Sequence, residues 1–230
     1  MVKEHSKIVK EQFEAEYETY DKEVRDVLPY YEEMHRKVIE CIDFDKNKEL
    51  NILDLGIGTG ETALGLLRKF PKSRLIGVDL SPKMFGVAKN RLKKFSKQVK
   101  LVESDMIEFE PSQKYDICVA VLSVHHLNQK EKQQLFVKIF NSLNEKGIFV
   151  IGDLIIGDSE KETNQLEKQW EEHLIKKLGK KEAENWMELY RKEDIPDSIN
   201  NQLQGLKKAG FKEVKCCWKK INCAVFFGRK

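Results

Sequence analysis

The sequence predicts an α/β fold, with a seven-stranded, mainly parallel sheet, an antiparallel last strand and helices on both faces. Three observations carry this. Short, continuously apolar runs at 51–55, 74–79, 115–122 and 147–153 read as strands buried on both sides, as parallel strands are. Segments with apolar residues at intervals of three and four separate them, as crossover helices require. Two apolar runs close to each other end the chain, at 211–218 and 221–227, and read as an antiparallel hairpin.

The elements follow in order. Residues 4 to 28 form one helical stripe through Phe13, Tyr17, Tyr20, Val24 and Leu28, and Pro29 breaks it. A second helix from about Tyr31 to Ile42 repeats the stripe with Met34 and Val38, and a polar turn at Asp45 to Lys48 leads into the first strand. Ala63, Leu66, Leu67 and Phe70 mark the next helix, which Pro71 stops. Ser81-Pro82 is an N-cap followed by proline at the first helical position. A third strand is expected over Leu101 to Met106. Asn128 with Glu131 has the spacing of a capping box ahead of Leu135, Phe136, Ile139, Phe140 and Leu143. A helical insertion from about Ser159 to Arg191 interrupts the alternation, with Leu166, Trp170, Leu174, Trp186 and Tyr190 on apolar faces. A helix to about Ala209 precedes the closing hairpin.

Composition fits one domain. At 230 residues with 40% hydrophobic residues the chain can bury a full core. Its start lacks the apolar run of a signal peptide and no stretch reaches the length of a membrane span, so the expectation is a cytoplasmic protein. Five cysteines, at 41, 118, 216, 217 and 223, show no C-x-x-C spacing. They are expected to be reduced structural thiols, the adjacent pair pointing to opposite faces of a strand, and no metal site is expected.

The most telling segment is Asn51-Ile52-Leu53-Asp54-Leu55-Gly56-Ile57-Gly58-Thr59-Gly60, an apolar strand that runs into three glycines at alternate positions and then into a helix. Such glycines allow a sharp turn and a close ligand approach where the helix presents free N–H groups. The spacing is G-x-G-x-G, with Glu61 where a dinucleotide fingerprint would place glycine, so a pyrophosphate fits poorly. The second strand ends in Asp79, an acid suited to both hydroxyls of a ribose. Asp105 and Met106 end the third strand, a carboxylate and an apolar neighbour for an adenine, and "YDICVAVLSVHHL" forms the fourth strand and its turn.

In this order and spacing, these motifs resemble the class I S-adenosylmethionine (SAM) methyltransferases, which have a Rossmann-like fold. The resemblance covers about residues 45 to 155 in motif detail. It implies SAM as cofactor, S-adenosylhomocysteine as product and these cofactor-binding residues: Asp54, Gly56, Gly58, Thr59, Gly60, Asp79, Leu80, Asp105, Met106, Val121 and Leu122. It divides the chain into an N-terminal helical lid (1–45), a SAM-binding core (46–157), a helical insertion (158–197) and a C-terminal helix and hairpin (198–230). In the lid, Tyr20 is expected to close over the cofactor and Arg25 to meet its carboxylate. Trp186, Tyr190 and Arg191 are candidates for the acceptor side.

His125 and His126 are the candidate catalytic residues, since histidine titrates near neutral pH and can take a proton from an acceptor. The competing reading is structural, because methyl transfer needs mainly alignment of nucleophile, methyl carbon and sulfur. The N-terminal helices, the "LSVHHL" turn and the ending "LKKAGFKEV…FFGRK" resemble relatives of the carboxy-SAM synthase of tRNA modification. That enzyme's arginine near the extra carboxylate has no counterpart, since no arginine lies between Arg191 and Arg229. The expected function is therefore methyl transfer from SAM to a small-molecule acceptor. The alternatives are a carboxy-SAM synthase-like or tRNA-modification enzyme and a non-catalytic SAM-binding protein. Residues 205–230 hold eight basic side chains against the single acid Glu213, yet the net charge is only +3. A nucleic-acid partner is thus the disfavoured alternative, and the expected state is monomer or homodimer.

Overall fold

The computed structural model describes residues 20–230. The part of the first predicted stripe built from Phe13 and Tyr17 lies outside them. The described chain opens with α1 (Tyr20–Val27) and α2 (Tyr31–Glu40), then alternates β1 (Asn51–Leu55), α3 (Glu61–Lys69), β2 (Arg74–Asp79), α4 (Pro82–Arg91), β3 (Val99–Glu103), β4 (Tyr115–Val121), α5 (Gln129–Ser142) and β5 (Leu143–Ile156). After β5 come α6 (Glu160–Leu178), α7 (Lys180–Glu193), the two-residue β6 (Asp197–Ser198), α8 (Ile199–Ala209), β7 (Glu213–Lys220) and β8 (Cys223–Arg229). Strand order is β3-β2-β1-β4-β5-β8-β7, with β6 paired to the end of β5. The first five strands are parallel, and β8 runs antiparallel to both β5 and β7.

The pleat sorts side chains into two cores. Ile52, Ile117, Val119 and Val150 face α2, α3 and the insertion, whereas Leu53, Leu55, Cys118 and Ala120 face α5 and α8. Parallel strands covered on both faces explain why their sequence is apolar without alternation. Local capping acts as expected: Ser81 Oγ accepts from the Met84 amide, and Asn128 and Glu131 form the reciprocal capping box.

Three expectations are corrected. Strand three stops at Glu103, so Asp105 and Met106 stand in the turn beyond it, where Asp105 Oδ1 accepts from Ile107 N at 2.7 Å. That short acid satisfies a loop amide and so ends the strand. The cysteines are not all reduced: Cys41, just after α2, is bonded to Cys217 on β7, leaving Cys118, Cys216 and Cys223 free. Pairing shifts register between Cys216 and Trp218, so Cys217 is the extra residue there, on the side where α2 ends. Arg191 leaves the acceptor side and pairs with Glu167 at 2.8 Å across the insertion.

Three of the eight C-terminal basic side chains form ion pairs or hydrogen bonds within the fold. Lys219 pairs with Glu162, Arg229 with Asp43 and Glu213, and Lys230 donates to the carbonyls of Phe140 and Leu143.

Candidate active site

Every parallel strand points its carboxyl end to one edge of the sheet, which is where open α/β sheets bind ligands. β1 delivers Asp54 to that edge and then the glycine loop, with Gly56, Gly58 and Gly60 all at positive φ. At Gly56 (φ +72) a Cβ would lie 2.6 Å from Ser123 Cβ, so only glycine fits against the β4 turn. At Gly58 (φ +51) a Cβ would meet nothing within 4 Å. The loop is therefore left-handed and open at its middle, a cradle over which a ligand can lie.

Two acids frame the cradle. Asp79 Oδ2 accepts from Gly58 N at 2.8 Å and Oδ1 from Ser81 N at 2.9 Å. Burial pushes this carboxyl up and the amide hydrogen bonds pull against it. Each oxygen keeps a second acceptor position, as bonding to ribose hydroxyls requires. Asp54 is almost wholly buried, and its Oδ2 has no hydrogen-bond partner among the described residues. Burial, reinforced by the charge of Asp79, pushes it up to about 8. A buried carboxyl in that state calls for a cation.

The lid side is held by a network that sequence reasoning missed. Arg91, at the end of α4, donates to Thr59 Oγ1 at 2.6 Å and to the Thr59 carbonyl at 3.0 Å, and it pairs with Asp21 of α1. Asp21 also accepts from Thr59 Oγ1 at 2.7 Å. α1 is thereby clasped to the glycine loop. A basic residue in the last turn of a helix is ordinary, so nothing in the spacing singled out Arg91. Arg25 directs its guanidinium to Glu61 at 3.3 Å, to Glu32 at 3.4 Å and to the Asp21 carbonyl, which places it over the start of α3. Tyr20 opens α1; the contact expected of its ring lies outside what is described.

Beyond β4 the chain turns sharply. Leu122 is held at φ 52, its N–H donating to the Gly152 carbonyl at 2.8 Å, and Val124–His126 makes a single 3₁₀ turn. Asp153 of β5 organises this turn. It is fully buried, accepts from the amides of Val124 (2.9 Å) and His125 (3.0 Å), and bonds His125 Nδ1. Burial pulls the His125 imidazole down, but Asp153 and Asp194 outweigh it and hold the group above its usual value. His126 moves the other way: burial and then the neighbouring His125 push it down, although its Nδ1 lies 3.3 Å from Asp194. The two rings, 4.0 Å apart, are thus shifted in opposite directions.

His126 and Leu122 face a cavity of about 110 Å³. A cavity of roughly 150 Å³ accommodates benzene, so this space is somewhat smaller than a closed site for one ring. The insertion walls it: Trp186 and Tyr190 line it, as expected, and so does Trp170, whose Nε1 donates to the Val27 carbonyl of α1 at 2.8 Å. Trp170 and Tyr190 meet edge to face at 4.9 Å.

Similarity to known proteins follows the same geometry. The methyltransferase domain family matches residues 52–147. Over nearly its whole length the chain resembles the carboxy-S-adenosyl-L-methionine synthase of Nautilia profundicola, with 29% identity covering 98% of this chain and 97% of the relative. The enzyme of that name from Campylobacter lari is 26% identical over 92% and 90% of the two chains. Among solved structures, an O-methyltransferase family protein from Burkholderia thailandensis superposes with a TM-score of 0.65 at 14% identity, covering 86% of this chain and 55% of the other. Human N-acetylserotonin methyltransferase in complex with SAM gives 0.60 at 18%, covering 85% and 51%. This chain spans about half the length of those two structures. The chain therefore carries a methyltransferase-domain match over residues 52–147, a fold shared with SAM-dependent methyltransferases, and a sequence similar from end to end to carboxy-SAM synthases.

Proposed function

We propose that this protein moves the methyl group of SAM to a small-molecule acceptor and releases S-adenosylhomocysteine. The observation that carries the reading is the pair of carboxylates around the glycine cradle, Asp54 buried and Asp79 half-buried. Asp54 offers a buried, unpartnered Oδ2 to an ammonium, and Asp79 offers acceptor positions to vicinal hydroxyls. SAM carries both groups, and it supplies an electrophilic methyl on a sulfonium sulfur.

The remaining assignments follow from position. Gly56, Gly58, Thr59 and Gly60 present backbone to the cofactor, with Leu80 beside the ribose. Asp105 and Met106 hold the adenine edge and face, Val121 and Leu122 pack against the cofactor, and Tyr20 covers it. Arg25 serves the lid through Glu61. His125 acts as a buttress on Asp153, and His126, whose imidazole is pushed down by burial, is the group able to accept a proton from an acceptor.

A second reading has its own support, since the near-full-length relatives are named carboxy-SAM synthases. The absence of arginine between Arg191 and Arg229 weighs against it, because an added carboxylate would lack that partner. Calorimetry with SAM, S-adenosylhomocysteine and NAD tests the cofactor: binding of the first two and not the third is expected, and NAD affinity equal to that for SAM would refute it. Incubation with SAM and prephenate, followed by mass spectrometry, tests the alternative; formation of carboxy-SAM would establish it.

A further inference from the structure

The cavity beside His126 has an unusual lining. Its polar wall holds three acids, Glu23 from α1 and Glu193 and Asp194 from the end of α7, beside the imidazoles of His125 and His126, and its apolar wall includes Trp170, Trp186 and Tyr190. Among the described residues no lysine or arginine lines it. Glu193 and Asp194 side chains are each only 15% exposed, so their fields act inside a poorly solvated space. Aromatic faces add to this, since their quadrupoles attract a cation.

We propose that the methyl acceptor is a small arylalkyl amine, which enters as its ammonium and is methylated on nitrogen. This rests on the SAM-dependent reading above. The ring fits the aromatic wall, and the ammonium fits the three carboxylates. An anionic acceptor, a dicarboxylate above all, meets repulsion from these three carboxylates.

The chemistry balances with groups at hand. The ammonium first gives one proton to the His126 imidazole, which lies on the same wall as Asp194. The freed nitrogen lone pair then forms a bond to the methyl carbon while the carbon–sulfur bond breaks, and that electron pair stays on sulfur. The products are a protonated N-methylamine and the neutral thioether, and the proton on His126 passes to water when they leave.

The test uses the full-length protein saturated with S-adenosylhomocysteine and three probes of matched shape: 2-phenylethylamine, 2-phenylethanol and phenylacetate. Calorimetry is expected to show the amine binding at least about tenfold more tightly than the alcohol, with phenylacetate weakest, on the scale of a few charge-assisted contacts. The double variant Glu23→Gln, Glu193→Gln is expected to reduce the amine preference to within about threefold while leaving S-adenosylhomocysteine affinity unchanged. With SAM in place, mass spectrometry is expected to find N-methylated amine. Tighter binding of the alcohol or the carboxylate, an amine preference that survives in the double variant, or no binding of the amine by the S-adenosylhomocysteine complex would overturn the inference. A protein that binds neither SAM nor S-adenosylhomocysteine would overturn the methyl-transfer reading itself, so the two failures are distinguishable.

Discussion

The two halves of the site are built by different means. The cofactor half, at the ends of β1 and β2, consists of backbone amides, left-handed glycines and short acids contributed by consecutive elements. The acceptor half, beyond β4 and β5, consists of long side chains from α1, the 3₁₀ turn and α7, far apart in sequence. Backbone recognition needs few residue types and is repeated wherever the cofactor is the same. Recognition by side chains is free to change with the acceptor. On the function proposed above, the contrast teaches that methyl supply and methyl receipt are carried on separable parts of one sheet edge.

The largest expected effect tests the cofactor half. Asp79→Ala removes the acceptor for two ligand hydroxyls and for the Gly58 amide, and should cost about 2–3 kcal/mol of SAM binding, roughly 30- to 150-fold in affinity. Calorimetry checks it; an unchanged affinity would place the ribose elsewhere. Of similar size, on the acceptor half, is His126→Ala. Turnover at saturating SAM should fall on the order of 10²-fold with cofactor affinity intact, since a proton acceptor is lost. A smaller drop would leave alignment alone as the source of rate.

Next comes the linkage of SAM binding to pH. Asp54 stands at about 8 before a cation arrives, and an ammonium partner must lower it. SAM binding near neutral pH should thus release a proton, and affinity should rise as pH approaches 8, by at most about tenfold per unit. Calorimetry in buffers of different ionisation enthalpy reads the proton directly; proton uptake would refute the Asp54 assignment.

The smallest effect concerns His125. His125→Ala should lower turnover by less than about tenfold, because its imidazole serves Asp153 and does not take the acceptor's proton. Its signature is in stability. The folded-state value is raised, so the pair with Asp153 stabilises fully below the unfolded value of about 6.5, and its contribution is lost as pH rises through the folded value. Denaturation of both proteins should show a larger gap at pH ~5.5 than at pH ~9. Groups facing this ring are Asp153 from β5, Asp194 after α7, His126 and Lys132 of α5.

Much of the cofactor half was legible because its determinants are local. Three alternate glycines and an acid at the end of the next strand sit within a few turns of each other, and the caps at Ser81 and Asn128 act over three residues. Arg91 was not legible: its reach to Thr59 and Asp21 depends on how α4 and α1 lie against the glycine loop. The Cys41–Cys217 bond, spanning 176 residues, likewise follows from the irregular register of β7, which no spacing encodes.

By itself the sequence determined the α/β class, the order of its elements, the glycine loop and the acids that frame it, since periodicity and backbone freedom are properties of neighbouring residues. Only the tertiary structure decided which acids crowd into the cavity beside His126, that Arg191 turns away to Glu167, and that adjacent His125 and His126 are shifted in opposite directions. Those outcomes depend on burial and on distances between side chains brought together from separate helices and strands. Coulomb energy and desolvation act through space, and the chain order alone does not contain those distances.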